Sequence, residues 1–238
     1  MAIIPLVADL AHFNPVNFTT LQDAGFVGII HKARQGIASG DPKYAARMAA
    51  AKHAGLRWGA YDFATHDDVA ANVAAFLATA RLEPTDSAWL DFEDNTHSQM
   101  SGDQAYEFLD RVAQKRGRAC GIYGGNRIRE QIKPHDPKWI DMAQCAALWQ
   151  CRYVKAQPAD NADLFRVIAP IPPWTKNFLI QYTGDGVGPR PHTAPGLANG
   201  ADLNAFNGAP DELAAAWAGS AGHAPAPARE AASLTNRA

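Results

Sequence analysis

Seven short apolar blocks recur along the chain, at Ile3–Leu10, Phe26–Ala33, Arg57–Phe63, Ser87–Glu93, Ala119–Gly124, Cys145–Tyr153 and Phe178–Thr183. Each is continuous rather than alternating, the pattern of parallel strands covered on both faces. Helical patterns with readable ends lie between them. Asp41-Pro42 reads as N-cap and first helical residue, and Gly55 as the stop. Asp67 precedes a stripe of Val69, Val73, Phe76, Leu77 and Ala80. Ser101 and Gln104 form a capping box ahead of Ala105, Phe108, Leu109 and Val112, and Gly117 ends that helix.

After residue 125 the rhythm loosens. Asn126–Ile132 predicts a short helix, and residues 155–176 are Pro-rich and irregular. Regular βα alternation predicts an α/β fold, a single TIM-like (β/α) barrel with an irregular last third. The alternative is a doubly wound open sheet, which would carry a Gly-rich phosphate turn after its first strand; Asp9–Val16 has none. The barrel occupies residues 1–218. Residues 219–238, Pro/Ala-rich and poor in hydrophobics, read as a disordered tail.

Composition narrows the function. With 238 residues, 47% of them hydrophobic, the chain can build one sizeable core. A net charge of −2 and the lack of any long Lys/Arg run argue against a nucleic-acid partner or a polybasic membrane anchor. No stretch approaches the ~20 apolar residues of a membrane span. Cys120, Cys145 and Cys151 have neither CxxC nor zinc spacing, so core thiols are favoured over a disulfide. The N-terminus lacks a charged region before its short apolar run, which predicts a chain made in the cytosol without a signal peptide.

In a barrel of this kind the strands' C-terminal ends carry the chemistry. Those ends place Asp9, His31 with Lys32, Tyr61 with Asp62, Asp91 with Glu93, Tyr123, Trp149 to Arg152, Gln181 with Tyr182, and Asp202 at one mouth. In Trp89-Leu90-Asp91-Phe92-Glu93 the two acids lie on one side of a strand, about 6.5–7 Å apart along it. Paired carboxylates in an apolar run repel and are desolvated, so one keeps its proton near neutral pH. A protonated acid beside an ionised one suits glycosidic cleavage, and aromatic faces rimmed by acids suit sugar rings. The pair taken alone is equally compatible with a strand end reaching solvent. A metal-dependent hydrolase built on His12, His31, Asp91 and His97 would want a paired His-x-His, which is lacking.

Eight segments, taken in order, resemble the glycoside hydrolase family 25 lysozymes: VADLAHFN, HKARQG with the following DPKY, GAYDF, LDFE, GIYGG, LWQCRY, QYTGDG and ADLNAFNG, spanning Val7 to about Gly208. The resemblance implies cleavage of the β-1,4 bond between N-acetylmuramic acid and N-acetylglucosamine in the glycan strands of peptidoglycan, without cofactor or metal, by a monomer. It implies Glu93 as acid/base, with Asp9, Asp91 and Asp202 lining the cleft. Net retention is implied, the substrate's 2-acetamido group being the nucleophile and Asp91 its polarising partner, with a direct carboxylate nucleophile as the alternative. Tyr61, Asp62, Tyr123, Trp149 and Gln181 would contact substrate. The setting implied is that of a phage endolysin released to the wall, or of an enzyme exported by a dedicated machine. A non-catalytic wall-binding barrel is the other reading, and retention of all four acids speaks against it. The chain departs from the family at Ala11 (often Ser), Gln35 (often Glu), Asp62 (often His) and Cys151.

Overall fold

A computed structural model describes residues 2–197 and 200–219. The strands are β1 (Val7–Leu10), β2 (Gly28–Gln35), β3 (Ser39–Gly40), β4 (Arg57–Phe63), β5 (Ser87–Asp91), β6 (Gly121–Gly124), β7 (Leu148–Cys151), β8 (Leu179–Thr183) and β9 (Asp202–Ala205). The helices are α1 (Phe18–Asp23), α2 (Tyr44–His53), α3 (Val69–Ala80), α4 (Gly102–Arg116), α5 (Asn126–Gln131), α6 (Pro137–Cys145), α7 (Asn161–Val167) and α8 (Pro210–Gly219).

Eight strands close into a barrel in the order β1, β2, β4, β5, β6, β7, β8, β9, while β3 is a short flap on β2. The expected barrel and its irregular last third are both present. An all-parallel sheet is not, because β9 runs antiparallel to both β8 and β1. Among its described residues the β8–β9 connection (184–201) carries no helix, and it returns to the rim it left instead of crossing beneath the barrel. That reversal puts the first residue of β9, not its last, at the mouth.

Apolar packing follows the strand blocks. One core fills the space between barrel and helices, where Phe76 of α3 meets Phe108 of α4 with ring centroids 5.8 Å apart. A second fills the barrel with Ile30, Trp89, Trp149, Leu179 and Trp217. Trp217 comes from α8, plugs the end opposite the mouth, and donates its indole N–H to the Trp58 carbonyl at 2.9 Å. Gly28 makes room for it: a Cβ there would lie 2.7 Å from the indole.

Several helix ends differ from expectation. α2 begins at Tyr44 with Lys43 as N-cap, because the Asp41 carboxylate is occupied elsewhere, accepting from the backbone N–H groups of His12 and Lys43. Asp68, not Asp67, caps α3, and Asp67 instead accepts from Ile37 N–H and Thr65 Oγ1. The Ser101/Gln104 capping box and the left-handed Gly117 stop are as expected. Cys145 ends α6 rather than starting a strand, and the Pro-rich stretch holds α7, capped by Asp160. The three cysteines are free thiols. Residues 220–238, most of the expected tail, lie outside the described residues.

Candidate active site

Asp9 is the third residue of β1, and the antiparallel register sets it directly opposite Asp202 of β9. Asp91 ends β5, and in parallel register it shares an inward-facing row with Phe63, Tyr123 and Trp149. β5 stops at Asp91, so Glu93 lies two residues past the strand rather than on it, half-buried where the chain turns outward. All four acids nevertheless line one cleft of about 370 Å³, together with Tyr61, Tyr123, Trp149 and Gln181.

A chain of hydrogen bonds fixes the floor. Gln181 Oε1 accepts from the hydroxyls of Tyr123 (2.7 Å) and Tyr153 (2.9 Å), which turns its Nε2 toward Asp9 Oδ2 at 3.1 Å. On the other side Trp149 Nε1 donates to Asn204 Oδ1 at 2.6 Å, and Asn204 Nδ2 donates to Asp9 Oδ2 at 2.8 Å. Both amides therefore present only N–H groups to Asp9, an arrangement that suits a carboxylate and not a second donor.

Crowding the acids raises their proton affinity. Burial, then the charge of Asp9, pushes Glu93 up to about 7, against a lowering pull from the Tyr123 hydroxyl. Burial pushes Asp9 up to about 6, although the Asn204 and Gln181 amides hold it down. Asp202 rises to about 8 through burial and the charges of Asp9, Asp185 and Glu93. Asp91 is raised well above the carboxylate range by burial, Glu93 and Asp9, with Lys32 opposing. Asp91 Oδ1 is buried and has no hydrogen-bond partner. The cleft thus holds fewer negative charges than carboxyls near neutral pH, and it has an acceptor oxygen waiting for a donor.

The expected contact residues divide. Tyr61 is half-buried on the wall, whereas Trp149 (1% exposed), Gln181 (3%) and Tyr123 (6%) form a floor. Asp62 is not in the cleft. Its neighbours Tyr61 and Phe63 face inward, so the two-residue strand period turns Asp62 toward the helices, where it accepts from Asn72 Nδ2 of α3 at 3.0 Å. Burial raises Asp62 to about 8, and its Oδ1 and the Asn72 Oδ1 both lack a donor. A proton retained on Asp62 supplies one.

Lys32, read at the end of β2, also lines the cleft, and other residues about it escaped the reading of strand ends: Asn204, Tyr153, Asp185 and Phe13. Asn204 had a signal, since it lies two residues beyond Asp202 on the same face. Phe13, 71% exposed, sits on a loop tied down by Arg47, whose Nη1 donates to Ala11 O (2.7 Å) and whose Nη2 donates to Asn14 O (2.5 Å). The histidines are dispersed. His12 pairs with Asp41, and His31 is buried against Trp58 and held neutral near 4 by desolvation. His31 Nδ1–H donates to Lys32 O at 2.8 Å, which leaves Nε2 to accept from Arg47 at 3.1 Å. Among the described residues, no group of three His, Cys, Asp or Glu side chains could hold a metal ion. None of the described helices is long and apolar enough to cross a membrane.

The fold is shared with known enzymes. A bacterial lysozyme from Streptomyces coelicolor superimposes with a TM-score of 0.73 at 21% identity, covering 93% of this chain and 99% of that one. A muramidase from Trichobolus zukalii gives 0.71 at 23% identity, over 89% of this chain and 98% of that one. The catalytic domain of endolysin ply40, from a bacteriophage of Listeria monocytogenes, gives 0.65 at 19% identity, over 92% and 98%. No curated protein matches the sequence. The sequence pattern of glycosyl hydrolases family 25 matches residues 8–189, from β1 through β8, and thus spans Asp9, Asp91 and Glu93. The chain belongs to glycosyl hydrolases family 25, and it is a glycoside hydrolase.

Proposed function

We propose that this enzyme is a muramidase, hydrolysing the β-1,4 bond between N-acetylmuramic acid and N-acetylglucosamine in peptidoglycan with net retention. The observation that carries this reading is the pair at the end of β5. Glu93 has a proton affinity near neutrality and stands at the open side of the cleft, while Asp91 behind it offers a buried oxygen with no donor. A glycan 2-acetamido N–H would supply that donor. Asp91 then orients the amide so that its carbonyl oxygen attacks the anomeric carbon as Glu93 protonates the departing oxygen. The resulting cyclic oxazolinium opens when water adds to the anomeric carbon, its proton passing to the Glu93 carboxylate. Asp9 and Asp202 offset positive charge that develops at the ring, and Tyr61 offers an apolar wall.

The proteins that share the fold include lysozymes, muramidases and phage endolysins, which favours cell wall as the place of action. An endolysin-like release or a dedicated export route would bring a cytosolic, monomeric chain there. Glu93→Gln tests the assignment. Lysis of purified peptidoglycan should fall by more than about a thousandfold, with the thermal transition retained. Products of the wild-type enzyme should carry reducing-end muramic acid. Wild-type lysis by the variant, or free stem peptides as the main product, would refute the reading.

A further inference from the structure

Beyond Glu93 the catalytic cleft opens into a second recess of about 440 Å³, walled by Arg127, Arg152 and Asp94. It shares Glu93, Cys151 and Tyr153 with the cleft, so anything bound there lies beside the scissile bond. The two compartments differ in charge balance. The cleft is lined by Asp9, Asp91, Glu93, Asp185 and Asp202 against the single cation Lys32, whereas the recess sets two guanidinium groups against the two carboxyls of Glu93 and Asp94.

Neither arginine is saturated. Arg127 is fixed in place, with Nη2 donating to Met100 O at 2.9 Å and its guanidinium above the Phe92 ring. Its Nε is buried without an acceptor, and its Nη1 makes only a long ion pair to Asp94 Oδ1, at 3.8 Å. Arg152 is exposed, and its backbone N–H is anchored to Gln181 O of β8 at 3.1 Å. Among the described residues no carboxylate lies within ion-pair reach of its guanidinium. Its charge also bears on Arg129, whose proton affinity is lowered by burial and by Arg152. A guanidinium without an ion-pair partner, beside an acidic cleft, is complementary to an anion attached to the substrate.

We propose that this recess is a subsite for the carboxylate-bearing peptide stem of the glycan, gripped by the Arg152 fork with Arg127 behind it; this rests on the muramidase reading above. A muramic acid seated next to Glu93 would direct its 3-O substituent out of the acidic cleft and onto the arginines, which match a carboxylate with two parallel N–H bonds. The subsite sorts muramic acid from unsubstituted N-acetylglucosamine at that position and sets the register of the cut.

Kinetics with the full-length protein on three forms of soluble glycan strands test it: stem-bearing, stem-bearing with carboxylates chemically amidated, and stripped of stems so that only the lactyl carboxylate is left. Arg152→Ala should raise KM about tenfold on stem-bearing strands with kcat within twofold, and Arg152→Lys should fall between. Amidation should raise the wild-type KM to the level of Arg152→Ala and leave the variant's KM unchanged. Stripped strands should behave like amidated ones for the wild type; if they bind as tightly as intact strands, the lactyl carboxylate is the ligand and the stem assignment fails. If amidation weakens the wild type and Arg152→Ala by the same factor, the recess does not read charge and the proposal is overturned. Glu93→Gln run in parallel separates the two ideas, because activity in that variant would defeat the muramidase reading itself.

Discussion

Replacing Asp9 by Asn tests the electrostatics of the cleft. Asp9 is the largest charge effect on Glu93, second only to burial. Two unit charges on the order of 7 Å apart, at an effective dielectric constant of about 20, interact by ~2.4 kcal/mol, or ~1.7 pKa units. Asp9, itself pushed up to about 6, is mostly but not fully ionised when Glu93 titrates near 7, so the effect on Glu93 is nearer ~1.5 units. The sign is definite. Glu93 must be protonated to act first, so kcat/KM falls as pH rises through about 7, and Asp9→Asn should move that limb ~1.5 units lower. One amide oxygen in place of Oδ2 still accepts from both Asn204 Nδ2 and Gln181 Nε2, but the amide nitrogen then replaces Oδ1, 3.3 Å from Gln181 Nε2. That donor–donor contact should cost about 1–2 kcal/mol of stability. Tyr123→Phe is the counter-perturbation, since the Tyr123 hydroxyl lowers Glu93, and it should move the same limb upward. The assay is kcat/KM against pH on soluble glycan strands for all three proteins. An unmoved limb in Asp9→Asn, or both variants shifting in one direction, would refute this account.

Two further perturbations concern the frame. Asp62 has a folded-state proton affinity near 8 against 3.8 for the free side chain, so the folded protein holds a proton there that the unfolded chain has lost. Its contribution to stability is complete below about pH 4 and drains away as pH climbs toward 8. Asp62→Asn should therefore gain on the wild type by ~4 kcal/mol between pH 5 and 9, read as diverging melting temperatures; parallel curves would refute it. Trp217→Ala should cost about 3–5 kcal/mol by leaving a void under the barrel, measured by denaturant titration, with activity per folded molecule within a few-fold of wild type. A change under 1 kcal/mol would mean that α8 does not plug the barrel.

Continuous apolar blocks announced most of the strands, because burial on both faces leaves no room for polar residues. The reversal at β9 was not legible. Asp202-Leu203-Asn204-Ala205 is short and half polar, and nothing local in four residues says which way they run. The acids Asp9, Asp91, Glu93 and Asp202 could be read as a group because charge at strand ends stands out against apolar surroundings. Asp62 stood out in the same way and was misplaced, since strand periodicity assigns it to the opposite face from Tyr61. Helix starts at Asp41 and Asp67 slipped by two residues and one for a related reason: these carboxylates found loop N–H groups to serve, and tertiary demand overrode the local capping signal. Hydrogen-bond partners such as Gln181 and Asn204 depend on neighbours far away in the chain, so only the folded structure reveals that both turn their amide nitrogens to Asp9.

The antiparallel return of β9 has a consequence for how such an enzyme can diversify. Every other connection to a parallel strand must travel the height of the barrel, and its length is constrained by the helix or loop that spans it. The segment between Thr183 and Asp202 starts and finishes at one rim, held where Asp185 N–H meets Gly200 O at 3.0 Å. Residues inserted or deleted there would project over the opening and disturb neither the helical layer nor the plug beneath. Asp185 and Val187 ride on this arm, the first on the cleft wall and the second 57% exposed. Substrate selectivity can thus drift by changes in the length and sequence of one hairpin, while the acids, rooted in strands, keep their positions.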